Sequence, residues 1–464
     1  MKMWKTVLLM LAAAVTLTAG GQNWITNGLV AYYPFNGSAN DASGNAHHGT
    51  LANGVATVTD QFGNANSAFG FDGIDDSIVL PTSVMNNLTQ GTFVATIYLN
   101  SYSTNGNPII SQATADLTDF MVAVSTNGRV QSPWITMANP QYLTGSQNVP
   151  LQKWAQVVVT WDGQYWKQYL NGQLDYQFES QAAPRFSTAP VELGHHAHCC
   201  VPVYFDGRID EVRIYNRPLA APEVEQLNLK SSLVAHYPFS NGSADDASGN
   251  GHHATVSGAT PSLDYFGSEN QAFGFDGNSQ RIVVPASPAF EVRTNITIAA
   301  WLKRQQVGVL SPIVCKDDNQ PNGSSHFEFT VQTNDALSFI YWAPGWVKSE
   351  SSTKIADTLW HHVAASFDGQ AVSLYIDGVP AGVVPQTIPM LPGNEPLQIG
   401  EAQASGFIYL NGQMDEVQIY NRGLSDYEVR QVYAVDSGRP YSSVGRAVRI
   451  DHLYLRVGTN YQLQ

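Results

Sequence analysis

Residues 29–35 read LVAYYPF, and residues 233–239 read LVAHYPF, the same string with one change 204 positions later. The match continues in step. NGSANDASGNAHH at 36–48 returns as NGSADDASGNGHH at 241–253, SAFGFDG at 67–73 as QAFGFDG at 271–277, and DEVRIYNR at 210–217 as DEVQIYNR at 415–422. Four blocks hold an offset of 204 or 205, far longer than a solenoid unit, and a copy of that size can close its own core. The chain therefore divides into a leader over 1–21, a first copy over 22–228, a second over 229–436, and a tail over 437–464, with the junction in the polar run NLKSS.

Within each copy the local signal is β. Residues 154–161 are rich in β-branched and aromatic side chains, Asp162-Gly163 turns the chain, 164–170 form the next strand, and Asn171-Gly172 turns it again. The second copy repeats this with 360–367, Asp368-Gly369, 370–376 and Asp377-Gly378. One helix is expected after the last strand of each copy, with Ser425 and Glu428 at capping-box spacing and Pro222 in the matching first turn. Trp154, Trp161, Trp301 and Trp360 fall in strand patterns and read as core. Many short strands with one brief terminal helix predict an all-β fold of two tandem antiparallel jelly-roll sandwiches.

Composition bounds the function. The chain has 464 residues, 38 acidic against 23 basic side chains, and a formal charge of −15. No broad basic surface exists to neutralise phosphates, so nucleic acid is excluded as a partner. Residues 1–21 carry Lys2 and Lys5, an apolar run from Val7 to Val15 and small residues after it, the pattern of a secretory signal peptide. That run is short of the ~20 apolar residues a membrane helix needs, so no membrane insertion is expected, and the destination is the cell surface or the extracellular or periplasmic space.

The blocks LVAYYPFNGSANDASGN, AFGFDG and DEVRIYNRPL resemble laminin G-like, concanavalin A-like jelly-roll modules. The resemblance covers about 23–227 and 231–436 and implies modules that bind carbohydrate or protein, often beside an enzyme domain. It also implies a structural calcium ion near the Asp that opens the last strand. Calcium takes ~6–8 oxygen ligands from a tightly turning loop. Asp41 and Asn45 around Gly44, with Asp210, form one candidate set; Asp246 and Asn250 around Gly249, with Asp415, form the other. The competing reading is that Asp and Asn close Asx-turns on their own backbone. Glu211 and Glu416 are then salt-bridge or loop partners, facing away from their Asp neighbours as strand alternation requires.

Two further chemistries are weighed. HHAHCC at 195–200 has ligand types suited to zinc or copper, but adjacent cysteines fill a tetrahedron poorly and the second copy has EAQASG there; a vicinal Cys199–Cys200 disulfide, with Cys315 single, and plain loop residues are the other readings. Glycan hydrolysis by a carboxylate pair needs two acids about 5–9.5 Å apart, and no Glu-x-Asp-x-Glu run offers them on one face. No catalytic residue is assigned. For sugar binding, a flat aromatic platform is the requirement. YWAPGW supplies Tyr341, Trp342 and Trp346 on an expected loop, and SPWITMANP supplies Trp134 in the first copy. The resulting expectation is a secreted, non-catalytic adhesion protein for extracellular polysaccharide or glycoprotein. A polysaccharide hydrolase or lyase and a structural cell-surface spacer are the alternatives.

Overall fold

The computed structural model describes residues 25–436 except 87, 115–116, 137–138, 180–187, 198–201, 318–325, 392 and 404–405. Each copy is a sandwich of an eight-stranded and a seven-stranded antiparallel sheet. In the first copy the larger sheet runs Gln173–Glu179, Tyr165–Leu170, Trp154–Trp161, Gly91–Leu99, Asp206–Tyr215, Ala68–Asp72, Ala56–Val58, with Leu29–Tyr33 added on Asp206–Tyr215. The smaller runs Asn139–Asn148, Arg129–Thr136, Leu117–Val124, Asn107–Thr114, Val191–Leu193, Ser77–Leu80, Thr50–Ala52. The second copy repeats both orders strand for strand.

The strand Gly91–Leu99, GTFVATIYL, is buried along nearly all its length. Phe93, Ala95, Ile97 and Leu99 face the core between the sheets. Val94 faces outward, where Leu219 and then Val224 and Leu227 of helix α1, Ala221–Ser231, cover it. Both faces are dry, so alternation is lost. Helix α2, Asp426–Asp436, does the same for Ala299, Ala364 and Tyr420. The expected capping box is present: Ser425 N–H and Oγ each donate to Glu428 at 2.9 Å. Trp161 is fully buried, donates Nε1–H to Leu88 O at 3.0 Å, and lies so close to Gly91 that an alanine Cβ there would sit 2.4 Å from its ring. Trp154 and Trp360 correct the core expectation, being only half-buried at strand ends; Trp301 is buried on the outer face beneath α2 rather than between the sheets.

The junction expected near 228 falls inside α1. Leu227 faces the first copy, Leu229 packs toward the outer cluster of the second, and after Ser232 the chain enters the second copy's first strand, Leu233–Tyr237. Phe62 of the first copy is buried in the second copy's core cluster, and Asn421 Nδ2 donates to Gln61 O. Among the described residues no helix is long and apolar enough to cross a membrane; the expected leader and the tail lie outside those residues.

Candidate functional site

The DASGN loop is turn chemistry. Asp41 Oδ1 accepts the N–H groups of Tyr32 and Ser43 at 2.9 and 2.8 Å, and Oδ2 accepts His47 N–H and Ser43 Oγ–H at 2.9 and 2.8 Å. A carboxylate has about four acceptor sites, and these four donors fill them. Burial alone would raise the carboxyl, but the backbone bonds outweigh it and hold Asp41 below the usual range. Asn45 turns its amide N–H2 toward Leu29 O and Val30 O, at 3.1 and 2.9 Å. The second copy is equivalent: Asp246 accepts from His236, Ser248 and His252, and Asn250 donates to Leu233 O and Val234 O. A ligand set of Asp41, Asn45 and Asp210, or of Asp246, Asn250 and Asp415, does not fit calcium, because the loop carboxylates are already spent on their own backbone.

Asp210 and Asp415 instead meet acids from elsewhere. A bulge at Glu211, φ 53°, breaks the pairing of Asp206–Tyr215 with Gly91–Leu99, and Glu416, φ 48°, does so in the second copy. The bulge overturns the expected opposite facing of the two acids: Asp415 and Glu416 line one cavity, together with Asp264 and Asp436. Asp210 is buried, accepts only its neighbour Glu211's N–H at 2.8 Å, and is pushed well up by burial, by Glu211 and by Asp60. Asp415 is pushed up to about 8 by burial and by the Glu416 charge, with Asp264 adding to it and the Glu416 N–H bond opposing. Asp60 and Asp264 went unread in the sequence, although a fifth repeated block marks them: DQFG at 60–63 and DYFG at 264–267. Asp60 accepts the Phe62 and Asn64 N–H groups and the Asn64 amide, and Asp264 accepts Ser268 N–H, so neither is filled as Asp41 is; the acceptor sites left on them and on Asp210 and Asp415 are the hard oxygen donors that a calcium ion suits.

YWAPGW is a tight hairpin, not a loop. Ala343 pairs with Gly345 and Trp342 with Trp346, leaving Pro344 at the tip. Alternation therefore survives the turn, and it corrects Tyr341: this ring is fully buried in the core, with its hydroxyl donating to Ile388 O at 2.6 Å. Trp342 and Trp346 stand on the outer face, ring centroids 5.1 Å apart at 75°, with Trp346 48% exposed. Lys348 and Glu350 follow on the same face, 2.6 Å apart. Trp134 lies on Arg129–Thr136 opposite Gln141; its side chain is outside the described residues.

The remaining candidates are committed or undescribed. His195 Nδ1 bonds Glu192 at 2.7 Å and its ring stacks on Tyr204, which leaves it poorly placed as a metal ligand. Cys199 and Cys200 lie outside the described residues; Cys315 is a buried free thiol pushed up by burial and by Glu328. Asp72, Asp75 and Asp76 bring oxygens within 4.8 Å of one another, but Asp72 accepts Ile74 N–H and Asp76 accepts the N–H groups of Asp72 and of Gly54 on a neighbouring turn.

Comparison with known proteins follows this geometry. A family model described as the concanavalin A-like lectin/glucanases superfamily matches residues 72–225 and 276–430, once per copy. Human Usherin is 23% identical over 178 residues, 36% of this chain and 3% of Usherin. Calsyntenin-3 of Danio rerio is 28% identical over 128 residues, 23% of this chain and 13% of that protein. The chain thus spans a small part of either relative. Among solved structures, domain 4 of AbnA, a GH43 extracellular arabinanase from Geobacillus stearothermophilus, in complex with arabinotriose, aligns at 20% identity and a TM-score of 0.37, over 44% of this chain and 98% of that one. With the family match falling on both sandwiches and covering well over half of the residues, the chain belongs to the concanavalin A-like lectin/glucanases superfamily.

Proposed function

We propose that the protein is an exported, non-catalytic binding module that engages extracellular carbohydrate or glycoprotein through the outer face carrying Trp342 and Trp346. The observation that supports this is the pair itself. The two indoles pack edge to face on each other on an outer sheet face, one of them half in water, and their apolar faces suit the apolar face of a pyranose. Lys348 and Glu350 beside them supply the polar rim that hydroxyls need. In affinity electrophoresis against a panel of polysaccharides and glycoproteins, the protein should be retarded by at least one member. Trp346→Ala should weaken that retardation roughly tenfold, the ~1–3 kcal/mol of a lost aromatic contact, with little change in thermal unfolding. No retardation across the panel, or an unaltered variant, would overturn the reading.

Calcium in this reading is held by Asp60 with Asp210 and by Asp264 with Asp415. A bound ion supplies charge neutralisation for two buried acids and ties the D-x-F-G turn to the last strand of each sandwich. Addition of calcium to chelated protein should raise stability by about 2.7 kcal/mol per site at a hundredfold excess over Kd, about 5–10 °C for a copy of this size. Asp415→Asn should remove the second copy's share. Unfolding that is the same in calcium and in chelator would sink the metal and leave the binding role standing.

A further inference from the structure

The two copies solve the same charge problem differently. In the first, Glu211 lies beside Arg213, whose guanidinium is 2.5 Å from its carboxylate and 4.1 Å above the Tyr32 ring, and the same carboxylate favours the charge of Lys230 on α1 against its burial. Three acids, Asp60, Asp210 and Glu211, thus share two cations. In the second copy Gln418 replaces the arginine, Val435 the lysine and His236 the tyrosine, while Asp436 replaces Ser231. Four carboxylates, Asp264, Asp415, Glu416 and Asp436, line one cavity of about 60 Å³ with no Lys or Arg among its walls. The imidazoles of His236 and His362 stand at Glu416 and Asp436, and burial holds His362 down at about 4, so it brings no charge at neutral pH.

The walls differ in kind as well. Opposite the bulge Asp, the strand partner is Thr96 in the first copy and Trp301 in the second. Tyr265, in the place of Gln61, stacks on Trp301 with centroids 4.0 Å apart. Trp301 is 2% exposed, yet among the described residues its Nε1–H has no acceptor; Asp415 is 6% exposed and, among those residues, accepts a hydrogen bond on Oδ1 alone. The mouth is open: Phe62 is 8% exposed because the second copy covers it, whereas Phe266 at the matching position is 64% exposed.

We propose that the second copy's cavity binds a guanidinium group from outside the chain, an arginine side chain of a peptide or a free guanidinium compound, in the place that Arg213 fills from within the first copy. A planar cation suits stacked aromatic walls and forks onto carboxylates, and with calcium at Asp264 and Asp415 the other two acids meet no Lys or Arg among the described residues: Glu416 has the His236 imidazole, and Asp436 accepts the neutral Gln418 amide at 3.0 and 3.1 Å, where Glu211 in the first copy has Arg213. This goes beyond the sugar reading and does not depend on it; it rests on calcium at Asp264 and Asp415, which the comparison of unfolding in calcium and in chelator tests separately.

The experiment is isothermal titration of the full chain, in saturating calcium, with agmatine for the free group and N-acetylarginine amide for the peptide-borne one, against butylamine. Saturable binding of either guanidinium, at least tenfold tighter than butylamine, is expected, and the tighter of the two names the source. Gln418→Arg, which copies the first module's own solution, should abolish that binding and raise the unliganded Tm. Asp436→Ser, the first copy's residue, should weaken it tenfold or more and guards against a Gln418→Arg chain that fails to fold. No guanidinium binding by the wild type, butylamine binding as tightly, or equal affinity in a folded Gln418→Arg protein would each overturn the proposal, as would binding that appears only when the titration is repeated in chelator, which would make the cavity a metal site only.

Discussion

Gly207→Ala is expected to destabilise the first copy by about 3 kcal/mol or more, and Gly412→Ala to do the same to the second. Gly207 lies in the strand Asp206–Tyr215 with neighbours on both sides, Phe71 on one and Leu99 on the other. An added Cβ would sit 2.0 Å from the Tyr98 carbonyl oxygen; at Gly412 the distance to Lys303 O would be 2.3 Å. Backbone cannot rotate out of the way as a side chain can, so the central strand must shift and loosen its ladder to both neighbours. Overpacking of a rigid interior costs about 1–3 kcal/mol and more where backbone must move. Urea unfolding of each variant, followed by calorimetry, reads the effect. A loss under about 1 kcal/mol would mean that the strand slides freely, contrary to its two-sided pairing.

Asp41→Ala comes next, with an expected loss of about 2–4 kcal/mol. The substitution leaves the N–H groups of Tyr32, Ser43 and His47 without their acceptor, and each buried unmet donor costs about 1–3 kcal/mol, discounted here because the loop is partly wet. Asp246→Ala should behave alike in the second copy. The pH dependence follows from the lowered carboxyl. A depressed folded pKa means that the stabilisation is complete above the unfolded value of about 3.9 and fades as pH falls through the folded one. Wild type and variant should therefore converge in acid, below about pH 4, and stay apart at neutral pH. If chelator removed the neutral-pH difference, Asp41 would be acting through a metal and its saturation by backbone donors would be refuted.

Much of this architecture was legible in residue order. The fourfold block match predicts two copies, and NG and DG turns stand where expected: Asn171, φ 49°, with Gly172, and Asp377, φ 52°, with Gly378, both left-handed as two-residue hairpins demand. The acid site was read less well, for a definite reason. Strand alternation places Asp210 and Glu211 on opposite faces, and a left-handed residue in mid-strand, which no residue type at that position announces, cancels the rule. Asp60 meets Asp210 only because strands distant in sequence become neighbours in the sheet order, a fact of topology rather than of local pattern. The aromatic site failed differently. Pro and Gly in YWAPGW suggested a loop, but a turn with Pro344 alone at its tip preserves alternation, and alternation sends Tyr341 inward while Trp342 and Trp346 face out.

Helix α1 gives way to the next strand after one residue, Ser232, while Phe62 is wedged into the neighbouring core. A joint of that kind has no slack, so the pair behaves as a gauge of fixed pitch rather than as two beads on a string. Any face of one sandwich therefore keeps a set distance and angle to the same face of the other.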